Sequence, residues 1–526
     1  MKLYVIFTLL ACTVLTFLFS QVILNSGLTG DDWQLLFAYK TFDPHPFDKA
    51  LDAWMIRGPY TTIQFYYIGI LESLFGINYQ LFQIINICFK IFASITLFIL
   101  IYKLFRSYFL ASSAAIIFSI IHSSAGAFKH VVKGSEYLAI AFMNLFFLSY
   151  YFCVTKKSMR LTILSSIILF LTFILSPIRI YPILGLIILI EIYLIFRNKK
   201  IRFFFQSFTR LLIFYMPIIF LAIGSLGSFA FVNDLKTGNW YFSLAPLEAL
   251  GYTLLGNDQL KILGISASLL GIFLIVLSSG YLIIWIKRGS KLNKFFLLFF
   301  GPFFAFFFLI ATWIFQSKAF HISDSVHWYL IIPSMGISLF IAGLLCLFYE
   351  LWIKFKQLRY LFIIFFLFFI VALVSFNEIN RYFNDLLSRG TGWKDQSYMQ
   401  NQVLGSLTKN QLNVFVYFEG LHDPRLHQFY AVSSNLGYFE YWMLYFKKPN
   451  FLGCVSYVTE RNQLIISYNN RGEYFEQDGL CAMSQFNIRT AKTRYNVSEF
   501  RAFRFKDKKI FNITQIILED LKSKKL

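Results

Sequence analysis

The sequence predicts an all-α polytopic membrane protein that carries a small mixed α/β domain at its C-terminal end. Three observations predict it. Hydrophobic residues make up 57% of the chain and charged residues only 14%, against about 25% charged in an ordinary soluble domain. One soluble core cannot hide that much apolar surface, and a disordered chain is excluded by the same content. The apolar residues gather into runs near the roughly 20 residues that cross a bilayer. The basic residues, 48 against 27 acidic, concentrate in alternate loops between those runs, as cytoplasmic loops do. The net charge of +21 is therefore read as topology, and nucleic acid is not an expected partner.

About eleven spans are read: 3–25, 80–101, 109–124, 135–154, 161–176, 178–196, 211–232, 262–286, 295–316, 328–349 and 359–376. Pro177 and Pro182 either split one run into two helices or kink a single one. The first run has the look of a signal peptide, but no polar mature sequence follows a small-residue site, so an uncleaved helix is favoured. With the N-terminus inside, the inner segments hold 18 Lys and Arg in 48 residues and the outer loops 9 in 93. The opposite orientation violates the charge rule at every loop. Residues 59–75 are apolar but short, with Ile63, Tyr67, Ile70 and Leu74 on one helical face and Glu72 away from it. That pattern predicts a helix lying in the interface.

The chain then divides into a membrane domain, 1–376, with a first outer loop at 26–79, and an extracytoplasmic domain, 377–526. In the latter, Asn413 to Phe418 and Gln463 to Tyr468 read as strands, and Asn435 to Phe446 as an aromatic-rich helix. Cys454 and Cys481 are the only cysteines in this polar part. They are either a disulfide, if the domain faces an oxidising compartment, or two thiols.

Eleven of the thirteen Asp and Glu ahead of residue 377 lie on the outer side or at outer helix ends. Chemistry that needs carboxylates is therefore expected outside. The strongest local signal is Gly30-Asp31-Asp32-Trp33. Adjacent carboxylates repel, which suits a general base of raised pKa or a divalent-cation site for Mg or Mn. Alternatively, Asp32 N-caps a helix from Trp33 to Tyr39. Arg57, ahead of Gly58-Pro59, is placed for a lipid phosphate or snorkels at the interface. Lys129 and Lys133, with His122, His130 and Glu136, form a cationic outer loop suited to an anionic ligand, or simply a solvated one. His321, Asp324 and His327 have a spacing that would ligate a metal. Arg179, at a Pro-flanked turn, is a further cation.

In this order and on this side of the membrane, these pieces resemble the GT-C superfamily of polytopic glycosyltransferases, which includes protein O-mannosyltransferases and bacterial aminoarabinose transferases. The likeness runs patchily over residues 1–350. It rests on the first helix, the acids Asp31-Asp32, Arg57-Gly58-Pro59 opening an interfacial helix, and Leu74-Phe75-Gly76-Ile77-Asn78 with Phe82 and Asn86. Ser113 to His122, Lys133-Gly134-Ser135-Glu136-Tyr137-Leu138-Ala139 and Trp328-Tyr329-Leu330-Ile331-Ile332-Pro333-Ser334 continue it. The chain departs from the family where Arg-Pro is here Arg57-Gly58-Pro59, and where Arg-Tyr is here His327-Trp328-Tyr329. The C-terminal domain resembles nothing we can name.

The resemblance implies transfer of a sugar, with inversion, from a polyprenyl-phosphate donor to a glycan, lipid or protein acceptor outside the cytoplasm. It makes Asp31 the base and has Asp32 and Glu136 support the acceptor or a metal. Arg57, Lys129, Lys133 or Arg179 would stabilise the departing phosphate. The expected location is the bacterial inner membrane. A second reading is an envelope glycan or lipid transporter, flippase or polymerase without this chemistry. Such proteins show more polar residues within spans and internal repeats. Here Lys90 and Glu191 are the few polar residues of that kind, and no repeat is evident. A third reading, a membrane-anchored binding protein, leaves the first-loop acids unexplained.

Overall fold

The computed structural model describes residues 2–29, 32–33, 35–36, 39, 59–76, 78–198, 201–225, 244–287, 295–315, 322, 324–388, 392–406, 413–419, 453–469, 471–484, 487–506 and 509–523. The membrane domain is a helix bundle. In chain order it holds α1 (Lys2–Phe19), α2 (Pro59–Phe75), α3 (Tyr79–Phe105), α4 (Tyr108–Ile120), α5 (Ser135–Lys156) and α6 (Met159–Leu175). There follow the short α7 (Pro177–Ile180), α8 (Pro182–Asn198), α9 (Ile201–Ser225), α10 (Ala245–Leu254), α11 (Asn257–Leu263), α12 (Ala267–Lys287), α13 (Phe296–Phe315), α14 (Ile331–Phe355) and α15 (Leu358–Leu386).

The described residues of the eleven expected runs are largely helical, and a count of eleven spans is not confirmed. Among the described residues six helices are long and apolar enough to cross a membrane. A seventh counts if α4 and the 3-10 segment His122–Lys129, bent by 43° from it, form one broken span. The shortfall has local causes. Pro177 and Pro182 separate α6, α7 and α8, since a proline cannot continue the preceding turn's hydrogen bonding. α9 begins ten residues earlier than the expected span, so much of its N-terminal part is the basic stretch read as an inner loop. The chain nevertheless reads as an integral membrane protein.

α14 is the most enclosed of these spans and α15 the least, though α15 buries Glu378, Ile379 and Phe383 toward its C-terminal end. Close packing of α13 on α14 rests on Gly301 and Gly336: a Cβ at either would lie within 2.4 Å of the other's carbonyl oxygen. Small residues let membrane helices approach backbone to backbone in this way. α3, α5 and α14 each end on a basic residue in the left-handed conformation, Arg106 (φ 54°), Lys157 (φ 51°) and Lys356 (φ 50°). All three sit at ends that the charge rule assigns to the inside.

In α2 the buried face is Gln64, Ile68, Leu71 and Glu72, while Ile70 and Leu74 are 52% and 68% exposed. Of the expected apolar face, Ile70 and Leu74 turn outward, whereas Tyr67 turns inward to donate to the buried Asn86; Glu72 turns into the protein.

α15 continues to Leu386, ten residues past the expected domain boundary, and leads through α16 (Trp393–Gly405) into the C-terminal domain. That domain is a six-stranded sheet: β1 (Val414–Glu419), β2 (Gly453–Val458), β3 (Tyr474–Ser484), β4 (Asn487–Asn496), β5 (Phe500–Lys506) and β6 (Lys509–Asn512). The spatial order is β4-β3-β2-β1-β5-β6. β1 is parallel to both β2 and β5, and the outer pairs are antiparallel.

Two helices, α17 (Arg461–Ser467) and α18 (Thr514–Ser523), cover one face of the sheet. The stretch expected as a strand, Gln463 to Tyr468, falls in α17. Its buried residues Leu464 and Ser467 are three apart, and Ile466 is 84% exposed; a short apolar run does not by periodicity alone distinguish strand from helix. The helix expected at Asn435 to Phe446 lies outside the described residues. Cys454 and Cys481, cross-strand partners in β2 and β3, form a disulfide.

The other face of the sheet packs on the membrane domain. Val414, Val416, Phe418, Val455 and Phe503 share one apolar cluster with Leu28, Trp33, Leu36, Ile68, Val131 and Val132.

Candidate functional site

Four elements meet at the outer end of the bundle: the first outer loop, α2, the outer half of α3 and the segment 122–134. That segment is two 3-10 helices, His122–Lys129 and Val131–Gly134, and it carries the loop cations. A buried segment of this kind must have its backbone groups satisfied. The surrounding polar side chains do so. Gln83 and Asn86, both 0% exposed on α3, donate to the carbonyls of Phe128 and Val131, each at 3.1 Å. Thr29 Oγ1 donates to the Lys129 carbonyl at 2.6 Å, and Tyr137 donates to that of Ser124. His122 and Ser123 hold the carbonyls of Tyr252 and Thr253 at the end of α10.

Asp32 closes the arrangement. Its carboxylate is 0% exposed. Oδ2 accepts from Thr29 N at 3.0 Å and Val131 N at 3.1 Å, and Oδ1 accepts from Val132 N at 3.0 Å. Asp32 therefore satisfies the first backbone N–H groups of the turn at Val131–Gly134. A carboxylate there also complements the positive N-terminal end of that turn. Tyr67 donates to Asn86 Oδ1. Burial first, and then the nearby Asp32 carboxylate, hold the Tyr67 phenol well above its ordinary pKa, so it stays a donor.

The cations divide into two groups. Lys129 Nζ lies 4.9 Å from the centroid of the Trp328 ring, and Lys133 Nζ donates to Gln64 Oε1 at 3.2 Å. Arg179 is instead in a buried ion pair with Glu136, its guanidinium 5.1 Å from the Tyr329 ring centroid. The two residues expected to hold phosphate and acceptor thus neutralise each other. Arg57 and Asp31 lie outside the described residues. Lys90 is buried in α3, 5.6 Å from the Phe128 ring centroid.

Of the His321, Asp324, His327 trio, Asp324 and His327 are among the described residues. His321 lies outside the described residues. Asp324 accepts from Arg381 Nη2 at 3.0 and 3.1 Å, and His327 Nδ1 accepts from Tyr329 N at 3.3 Å. Among the described residues no three His, Cys, Asp or Glu side chains are grouped to hold a metal. Among the described carboxylates, Asp32 accepts from three backbone N–H groups and Asp324 from a guanidinium.

His327 and Trp328 reach Lys129 because Gly126 lets the backbones meet: a Cβ there would lie 2.2 Å from the His327 carbonyl carbon. His130 stands edge-on to Trp328, ring centroids 5.4 Å apart.

Sequence reasoning missed Gln64, Gln83, Thr29, Gln396 and Arg381. For Gln83 a signal was present, a buried amide in an apolar run. Gln396, on α16, donates to the Leu28 carbonyl at 2.6 Å and accepts from Leu28 N at 3.1 Å; nothing local marks it.

No protein-family model matches the sequence, and no curated protein matches it. Among solved structures the chain is similar to the oligosaccharyltransferase of Archaeoglobus fulgidus in complex with Zn and sulfate, at TM-score 0.39 and 11% identity. The match covers 93% of this chain and 75% of that one. It is also similar to the archaeal oligosaccharyltransferase AglB of Archaeoglobus fulgidus in complex with an inhibitory peptide and a dolichol-phosphate, at TM-score 0.38 and 11% identity. That match covers 79% of this chain and 62% of the other. Likenesses of this size concern the general course of the chain, and no residue's role follows from them.

Proposed function

We propose that the protein is a glycosyltransferase. It moves a sugar, with inversion, from a polyprenyl-phosphate donor to an acceptor at the outer face of the bacterial inner membrane. The observation that carries this reading is the Asp32 carboxylate. It belongs to the first-loop acid pair and is hydrogen-bonded to Val131 and Val132 in the segment that bears Lys129 and Lys133. One rigid connection thus joins the stretch that offers a carboxylate base to the stretch that offers cations, beside the expected interfacial helix. Acids alone would suit many sites; acids and cations fixed to each other at a membrane edge suit loss of a lipid phosphate.

The roles we assign rest on the resemblance and on the contacts of Asp32. Asp32, with both oxygens engaged, positions the cationic segment. Its neighbour Asp31 is the base that takes the proton of the acceptor hydroxyl. Lys129 and Lys133 stabilise the charge that develops on the departing phosphate, and Arg57 is a further candidate. Glu136 and Arg179 form a structural pair behind Tyr329. The acceptor oxygen bonds to the anomeric carbon as the bond to phosphate breaks, and the lipid phosphate leaves as an anion. The disulfide of the C-terminal domain supports an oxidising, extracytoplasmic side.

The test is release of labelled sugar from polyprenyl phosphate by membranes containing wild type, Asp31→Asn or Asp32→Asn. A base of the usual size predicts a loss of about a hundredfold or more for Asp31→Asn. An active wild type matched by Asp31→Asn would overturn the assignment of the base. A wild type that releases nothing from any common carrier would move the protein to the transporter reading.

A further inference from the structure

Two arms carry the site, and both are tied to one stretch of chain: the junction between α15 and the C-terminal domain. The first arm is residues 26–33, which lead through the acid pair. Gln396 grips it at Leu28 by both the N–H and the carbonyl, and Gln396 is itself 3% exposed. Ser26 bridges to Gly392 just beside it. The second arm is residues 324–329, which carry His327 and Trp328. Arg381, near the outer end of α15, holds Asp324 by both oxygens and Glu378 at 2.9 Å. Glu378 in turn accepts from Ser325 Oγ at 2.8 Å and Asp258 N at 3.2 Å.

From these contacts we infer that Gln396 and Arg381 are positioning residues, and that the junction sets the spacing between the acid arm and the aromatic–cation arm. The inference rests on the proposed function for its kinetics but not for its geometry. Neither residue is placed to touch a substrate. Each makes a long-range polar tie to its arm, beside the Ser26–Gly392 bridge in the first and the Ser325–Glu378 bond in the second. A glutamine amide that satisfies both backbone groups of one residue fixes that residue in position and in rotation. A guanidinium across two carboxylates fixes a loop in the same way. The C-terminal domain then contributes to catalysis through where it is attached.

The test compares Gln396→Met, Arg381→Gln and Arg381→Lys in the full-length protein. Gln396→Met keeps the volume and loses both bonds. It is expected to lower kcat by about tenfold to a hundredfold, as misplacement of a reacting group does, with donor KM within about twofold. Arg381→Gln frees the arm at Lys129 and is expected to raise donor KM about tenfold more than it lowers kcat, and Arg381→Lys is expected to recover part of that.

Hydrogen exchange is measured on the same samples. Protection is expected to fall at residues 28–33 and 131–132 in Gln396→Met, and at 325–330 in Arg381→Gln. Losses in all kinetic constants that track only the folded fraction, or unchanged protection in the two arms, overturn the inference. If wild type transfers no sugar, the proposed function fails, and the exchange data alone still decide whether the junction holds the arms.

Discussion

Asp32 shows how one side chain, read in two ways, can also meet partners that neither reading names. Its three backbone donors come from two segments about a hundred residues apart in sequence. An asparagine there keeps one acceptor and turns an N–H₂ toward a backbone N–H. At least one buried donor in Thr29, Val131 or Val132 then loses its partner, at a cost of about 1–3 kcal/mol. Asp32→Asn should therefore lower the thermal stability of the purified protein as well as its turnover. Lys133→Ala, which removes one exchangeable bond to Gln64, should lower turnover with little change in melting. Equal melting of Asp32→Asn and wild type would remove Asp32 from its positioning role.

At the scale of elements, one buried ion pair joins two helices. Arg210 on α9 donates from Nε and Nη2 to both oxygens of Glu191 on α8, at 2.7 and 2.6 Å. Tyr150 on α5 adds a third bond at 2.8 Å. Glu191→Leu leaves a buried guanidinium without its partner and should cost about 3–5 kcal/mol. Glu191→Leu combined with Arg210→Met should recover most of that loss, because the penalty belongs to the unpaired charge. Denaturant unfolding in detergent compares the two, and a double variant as unstable as the single one would mean the pair is not what joins α8 to α9.

Sequence alone exposed Glu191 as a charge inside an apolar run but not its partner, since α9 was expected to start after Arg210. The same limit applied to α17. The four-residue core of Gln463 to Tyr468 fits either period, and only packing against β2 and β3 selects the helix. The runs themselves were legible because hydrophobicity near 20 residues is a local property. The ties at Gln83, Gln396 and Arg381 were not, because an amide or a guanidinium gives no sign of which distant backbone it will meet.

For the molecule as a whole, the orientation governs every other reading. The alternation of basic loops is a whole-chain pattern and was visible without coordinates. The shared apolar cluster of the sheet face with Trp33, Leu36, Val131 and Val132 was not, since it joins residues hundreds of positions apart. The two facts agree on one geometry. The charge rule assigns the helix ends capped by Arg106, Lys157 and Lys356 to the inner side, and a disulfide suits a domain on the other side.

Orientation is open to a direct test. In a Cys88→Ser background, Thr155→Cys places a thiol at the inner end of α5, and Glu460→Cys places one ahead of α17. Both positions are exposed. The remaining native thiols, Cys12, Cys153 and Cys346, are buried. A membrane-impermeant maleimide applied to spheroplasts should label Glu460→Cys at once and Thr155→Cys only after lysis. Labelling in the opposite order would put the acid pair in the cytoplasm. A lipid-linked donor presented at the outer face could not then reach it, and the proposed reaction would fall with the topology.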